Sequence, residues 1–180
     1  DDDGGSSLSL AWPPSCCPLC AAPIRARHNV PLIGFFVLRG RCADCGGRIS
    51  WRYPLVEAAG AVLAALALWR FGVVPQAGLV AVLLWGLLCV AVIDYEHMLI
   101  PDVLSGTLLW VGLTASAFEV WPLPSADAVR GAVYGYLGLW FLAALAARLM
   151  RREAMGGGDA KLLAALGAWS LGAGGLGRLV

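Results

Sequence analysis

Long apolar stretches separated by short polar segments make up most of the chain after residue 54. A helix needs about 20 mostly apolar residues to cross the hydrocarbon core of a bilayer, and five stretches meet or approach that length. Glycines recur within them, as in membrane helices that pack closely together. The pattern predicts an all-α polytopic membrane protein with about five transmembrane helices, at residues 55–69, 77–93, 103–121, 129–149 and 160–180.

Composition supports a membrane protein over a soluble one. The chain is 59% hydrophobic and only 14% charged, with a mean hydropathy of +0.75. Soluble domains are usually about half apolar and a quarter charged. The remaining alternative, buried helices of a large soluble protein, fits poorly with five such stretches in 180 residues.

The positive charges are concentrated at the front of the chain. Because Lys and Arg accumulate in cytoplasmic loops, this segment is predicted to be cytoplasmic. The same rule places the loops 94–102 and 148–159 inside and the loops 70–76 and 119–127 outside, with Arg70 and Arg130 as exceptions. We therefore expect a multi-pass membrane protein with its cysteine-bearing front segment on the cytoplasmic side. The front segment carries six arginines, Arg25, Arg27, Arg39, Arg41, Arg48 and Arg52.

Two aspartates fall at the predicted cytoplasmic edge. Asp94 closes the second apolar stretch and Asp159 opens the fifth. Ionisable groups at this depth are costly and are candidates for function. The alternative is that each caps its helix. The glycines at 156–158 permit close backbone approach and positive φ before Asp159. Two adjacent carboxylates share a proton, so one can activate water while the other protonates a scissile carbonyl.

Four cysteines have the spacing of a metal site. Cys17 and Cys20 form one C-x2-C pair, and Cys42 and Cys45 form another, with 21 residues between the two pairs. Such pairs suit tetrahedral zinc, and disulfides are disfavoured in a cytoplasmic segment. Disulfides and unligated thiols remain alternatives. Cys16 could replace Cys17 as the first ligand, whereas Cys89 lies within an apolar stretch and is interpreted as a packing residue.

The aspartate motifs resemble those of the type IV prepilin peptidases, membrane proteases named for a Gly-x-Gly-Asp signature. The stretch from Gly156 to Lys161 is similar to that signature, and Asp94 with residues 100–102 is similar to the first aspartate motif. The resemblance implies that Asp94 and Asp159 are catalytic. It also implies a supporting group, namely Asp102, Gly156, Gly158 and Lys161.

The front segment extends the resemblance, through residues 29–32, 38–42 and 52–57. In these proteases the tetracysteine loop accompanies a second activity, N-methylation of the new amino terminus with S-adenosylmethionine. The resemblance covers roughly residues 17–171. It departs at both ends, because family members have a membrane helix before the loop and further helix after the fifth span, so the chain is expected to be truncated.

These observations divide the chain into a disordered or altered N-terminus at 1–15, a cytoplasmic zinc-binding-type loop at 16–53 and a transmembrane aspartyl protease region at 54–180. The predicted function is cleavage of the basic leader of prepilin-like precursors at the cytoplasmic face, with N-methylation of the product. Partners are expected to be prepilin or pseudopilin precursors and membrane lipid, with no nucleic acid. The alternatives are an ion-coupled transporter or channel that uses the aspartates, and a tetracysteine binding module on a membrane anchor.

Overall fold

The computed structural model describes residues 16–150 and 156–170. Those two ranges contain helices and loops, with no strand beyond the isolated bridges Cys16–Pro23 and Arg41–Arg48. The chain divides into two compact units, Asp1–Val62 and Leu63–Val180. After a short 3-10 turn at Ala26–His28, the helices are α1 (Ile33–Val37), α2 (Arg52–Phe71), α3 (Pro75–His97), α4 (Asp102–Ala117), α5 (Ser125–Met150) and α6 (Gly157–Trp169).

Each predicted apolar stretch contributes to one helix, which confirms the all-α polytopic prediction. Helices α2, α3 and α5 are long and apolar enough to cross a membrane, with 20, 23 and 25 residues in their candidate spans. Few of their side chains are buried, as expected of surfaces that face lipid. Helices α4 and α6 are shorter, with 16 and 13 residues. The predicted segment 1–15 and the end of the fifth stretch, 171–180, lie outside the described residues.

Helices α5 and α6 cross at glycines. A Cβ atom on Gly131 of α5 would overlap the carbonyl oxygen of Gly167 of α6, and the converse holds for Gly167. One turn along α5, a Cβ on Gly135 would lie 2.6 Å from the Leu163 carbonyl oxygen. This spacing of small residues lets two backbones approach closely, which maximises van der Waals contact where lipid supplies no hydrophobic drive.

A tryptophan holds the last residue of α6 against α4. The indole Nε1 of Trp169 donates a hydrogen bond to the Leu108 carbonyl oxygen of α4 at 2.8 Å. Gly112 makes room for it, since a Cβ there would lie 2.6 Å from the same nitrogen. The Trp169 ring meets Trp121 edge to face, with centroids 5.5 Å apart. These contacts form the core of the second unit, together with Ala115, Leu123, Ala128 and Ala168.

The first unit is organised around Phe35 of α1. The Phe35 ring is buried and contacts Trp51, with ring centroids 4.7 Å apart. Gly34 is also buried, and a Cβ at this position would overlap the His28 carbonyl oxygen, so a larger residue does not fit there. The N–H of Leu32, the residue before α1, donates to Glu57 Oε2 of α2 at 2.7 Å. Helix α1 is thereby tied to the second turn of α2.

The glycine crossing generates a test of helix packing. Gly131→Ala should lower the free energy of unfolding by about 1–3 kcal/mol, because the added methyl group forces α5 and α6 apart. Gly138→Ala is the matched control, since a Cβ at that position of α5 meets nothing within 4 Å. The unfolding midpoint in detergent micelles, followed by tryptophan fluorescence, measures both. Equal midpoints for the two variants would contradict the close crossing.

Candidate active site and metal centre

Asp159 lies in the first turn of α6. Gly156 is the N-cap residue, with φ −70°, so Asp159 is the third residue of the helix. A helix N-terminus favours a negative charge, because its backbone N–H groups point toward the anion. The side chain of Asp159 is half-buried and lines a groove of about 310 Å³ between α5 and α6. The other lining residues are Leu139, Leu162, Leu163 and Leu166.

The glycines before Asp159 permit close contact with a neighbouring segment, and their backbone angles are ordinary. Positive φ was expected there, but Gly156 has negative φ, and the glycines with positive φ in the described residues are Gly40, Gly46 and Gly72. The expectation was wrong because Gly157 and Gly158 already belong to α6. Close approach does occur: a Cβ on Gly158 would lie 3.0 Å from Ile100 Cβ and 3.2 Å from its carbonyl oxygen.

Asp94 lies in the last turn of α3, and its side chain is exposed. Its carbonyl oxygen accepts a hydrogen bond from the Met98 N–H at 2.8 Å. Met98 ends the helix in the left-handed conformation, with φ 51° and ψ 42°. The chain then passes through Ile100 and Pro101 into the first turn of α4.

The structure brings the two aspartate motifs together. Lys161 Nζ, at the start of the second turn of α6, forms an ion pair with Asp102 Oδ2 of α4 at 2.6 Å. The close approach of Gly158 to Ile100 lies next to this ion pair, because Gly158 is three residues before Lys161 and Ile100 is two residues before Asp102. Residues separated by almost 60 positions therefore form one junction. Within the described residues, no hydrogen bond or ion pair joins the carboxylates of Asp94 and Asp159.

The choice of partner for Lys161 affects Asp159. Lys161 is two residues after Asp159 and the nearest basic residue to it in the described sequence, yet its ammonium group pairs with Asp102. No ion pair to Asp159 is present in the described ranges. The Asp159 carboxylate therefore lies at the N-terminus of α6 without the Lys161 ammonium group as its partner.

Sequence reasoning missed the leucines of the groove. Leu162, Leu163 and Leu166 follow Asp159 by three, four and seven residues, which is the spacing of a single helix face. That periodicity was available from the sequence. It carried no functional signal, because the fifth stretch is apolar on every side.

The four predicted cysteines converge in the first unit. The sulfur atoms of Cys17, Cys20, Cys42 and Cys45 all lie within 4.8 Å of one another. Tetrahedral zinc with Zn–S bonds of about 2.3 Å places sulfurs roughly 3.8 Å apart. The Cys17–Cys45 separation is 3.9 Å, and all four thiols are free of disulfides. The cluster can therefore hold a metal ion.

Two matching turns build the cluster. The Cys17 N–H donates to the Ala22 carbonyl oxygen. The equivalent bond in the second turn, which lies 25 residues later in the chain, runs from the Cys42 N–H to the Gly47 carbonyl oxygen. The bridges Cys16–Pro23 and Arg41–Arg48 flank the two turns in the same register. Cys16 is thus a flanking residue outside the cluster, and Cys17 is the one of the two adjacent cysteines whose sulfur lies with the other three.

The pKa values of two thiols in the cluster are shifted in opposite directions. Backbone N–H groups of Leu19 and Cys20 donate to the Cys17 sulfur and lower its pKa to about 7. The Ala22 N–H acts in the same sense on Cys20. The thiols of Cys45, Cys17 and Cys42, with desolvation, nevertheless raise the Cys20 pKa to about 12. Adjacent thiolates repel one another, so the cluster favours a cation that neutralises them.

Two family models match the chain. The model of the Bacterial Peptidase A24 N-terminal domain matches residues 5–71, beginning before the expected residue 17. The model of the type IV leader peptidase family matches residues 81–174, which include both aspartates. No solved structure matches the chain.

Individual relatives agree with the family models. The chain is 46% identical over 164 residues to a prepilin leader peptidase/N-methyltransferase of Pseudomonas aeruginosa, covering 91% of this chain and 56% of that protein. A Neisseria gonorrhoeae protein of the same name is 41% identical to the chain, and the match covers 93% of this chain and 58% of that protein. A type 4 prepilin-like proteins leader peptide-processing enzyme of Escherichia coli is 43% identical, covering 91% and 61%.

The chain spans a little over half the length of these relatives. The family model that contains both aspartates nevertheless covers more than half of this chain. Together with the apolar helices, it indicates a protein of the inner membrane. The chain belongs to the type IV leader peptidase family.

Proposed function

We propose that the chain carries the active site of a membrane aspartyl endopeptidase that removes the basic leader of prepilin-like precursors, with Asp94 and Asp159 as the catalytic pair. The junction of the two aspartate motifs is the observation on which the proposal rests. The Asp102–Lys161 ion pair and the Gly158–Ile100 contact hold the first turn of α6 against the segment that follows Asp94. Relatives named prepilin leader peptidases support the substrate class.

Hydrolysis would use the two carboxyl groups in complementary protonation states. The ionised carboxylate takes a proton from water as the oxygen attacks the scissile carbonyl, and the protonated partner donates a hydrogen bond to the carbonyl oxygen. The proton then passes to the leaving amine. The groove of leucines beside Asp159 would receive apolar substrate groups and exclude bulk water.

The proposed orientation places this site on the cytoplasmic side. The arginine-rich front segment and the arginines at 148–152 support that orientation, because positive residues are retained in the cytoplasm. A basic leader would be available on the same side. Prepilin and pseudopilin precursors are the proposed partners.

We propose zinc as the metal of the tetracysteine cluster, held by Cys17, Cys20, Cys42 and Cys45. The sulfur separations fit tetrahedral coordination, and thiolate ligands suit this ion. Zinc would join two turns of the first unit and so has a structural role. We also propose N-methylation of the product, because the relatives are prepilin leader peptidase/N-methyltransferases. The proposed methyl donor is S-adenosylmethionine, as the resemblance of the sequence motifs implies.

Amide substitution tests the catalytic pair. Asp94→Asn and Asp159→Asn should each reduce cleavage of a prepilin substrate at least about 100-fold, because an amide neither accepts nor donates the required proton. Asp127→Asn is the control, since that carboxylate pairs with Arg130 at the start of α5. Rates are measured in detergent or nanodiscs by mass spectrometry of the released leader. Activity of either variant close to that of the control would exclude the assignment.

The ion pair at the junction provides a second test. Lys161→Met and Asp102→Asn should each slow cleavage several-fold, because the first turn of α6 loses its tie to α4. The stability loss should stay within about 1 kcal/mol, since both side chains are largely exposed. The exchanged pair Asp102→Lys/Lys161→Asp should recover part of the rate if the tie itself matters. Additive losses in a double-mutant cycle would contradict coupling between the two residues.

Metal analysis tests the cluster. Purified protein should contain about one zinc per chain, Cys42→Ser should lose it, and the flanking Cys16→Ser should retain it. Ligand thiols must be deprotonated, so affinity should fall as the pH falls. Because the Cys17 pKa is about 7, this residue also has to release a proton below that pH, and the fall should become steeper there. Zinc retained in Cys42→Ser would refute the ligand set.

A further inference from the structure

Helix α1 presents an apolar face to its surroundings. Ile33, Phe36 and Val37 are 59%, 63% and 65% exposed, whereas Gly34 and Phe35 between them are buried. Their spacing of three and four residues places the exposed side chains on one side of the helix. The buried residues anchor α1 to its own unit through Phe35 and Trp51. The exposed face therefore has a defined direction and no cover from the described part of the chain.

The position of α1 along α2 indicates what lies opposite this face. Leu32 N–H bonds Glu57 Oε2 at 2.7 Å, and Glu57 is five residues into α2, about 7.5 Å along its axis. Helix α2 has 20 residues and is about 30 Å long, which is the thickness of the hydrocarbon core. When α2 spans the membrane, Arg52 lies at the boundary between lipid headgroups and acyl chains, and α1 begins about 7.5 Å below it, which is within the depth that interfacial amphipathic helices reach.

Neighbouring side chains have the character of a membrane interface. Trp51 and Tyr53, at the start of α2, are 63% and 61% exposed. Amphipathic aromatic rings accumulate at headgroup level in membrane proteins. Residues 16–51 contain five arginines and Asp44 as the one acidic residue. Four of the arginines are exposed in the structure: Arg25, Arg39, Arg41 and Arg48.

We propose that α1 is an interfacial anchor that inserts Ile33, Phe36 and Val37 into the surface of an anionic lipid leaflet. The arginines that follow α1 contact the lipid phosphates, and the apolar side chains contact the upper acyl chains. The anchor ties the tetracysteine cluster to the membrane surface, while the apolar face of α1 alone enters the acyl chains. This inference does not depend on the proposed peptidase activity.

Photocrosslinking of the whole chain tests the occupant of the face. A benzophenone amino acid at position 36, or at Val37 if the first variant is unstable, is activated in nanodiscs that contain anionic phosphatidylglycerol. The control carries the same group at the exposed Ala43, between two cluster cysteines. We expect lipid adducts by mass spectrometry at position 36 or 37 and several-fold fewer at position 43. Equal yields at the two sites, or crosslinks to a second copy of the chain, would overturn the proposal.

Lipid charge distinguishes an anchor from incidental apolar contact. Replacing phosphatidylglycerol with neutral phosphatidylcholine should lower the adduct yield, and Arg39→Gln/Arg41→Gln should lower it by a factor of about five per arginine in anionic discs. Arg130→Gln in α5 is the control and should leave the yield unchanged. A yield independent of both lipid charge and the two arginines would rule out an anionic surface as the partner.

Discussion

Close backbone contact between α5 and α6 is the constraint on which the second unit depends. Helix α6 has only 13 residues, and hydrophobic burial does not hold helices together in lipid as it does in water. Glycines at 131 and 167 remove the side chains that would separate the two backbones. The Trp169 indole then fixes the far end of α6 to a carbonyl of α4. These contacts fix the C-terminal half of α6, and the Lys161–Asp102 ion pair ties the end that carries Asp159 to α4.

Electrostatics at the junction follow from this placement. An ammonium group two residues from Asp159 could neutralise it, but Lys161 extends to Asp102. Within residues 16–150 and 156–170, no ion pair competes with the helix N-terminus for the Asp159 carboxylate. Leucines on the adjacent face lower the local polarity. The same few residues thus fix the geometry of the junction and the surroundings of Asp159.

Much of this arrangement could be predicted from the sequence. Apolar stretches located the helices, because length and hydropathy suffice for a segment that faces lipid on most sides. Cysteine spacing located the cluster, because each C-x2-C turn is a local structure. The choice between Cys16 and Cys17 required the hydrogen-bond register of the turn, which two adjacent identical residues do not reveal. The Lys161–Asp102 pair joins residues 59 positions apart, and no local pattern reports such a contact. Positive φ before Asp159 was predicted wrongly, because glycine permits that conformation without requiring it.

The length of α4 has a consequence for the surrounding bilayer. Its 16 residues extend about 24 Å, several ångströms less than the hydrocarbon thickness. A bilayer adapts to a short helix by becoming thinner around it, at a cost of fractions of a kcal/mol per ångström. Asp102 opens this helix, next to the turn that carries Asp159. A bilayer that adapts to α4 in this way would bring the leaflet surface closer to the first turn of α6, so that the two aspartate motifs lie at a shallower depth than the length of α3 alone suggests.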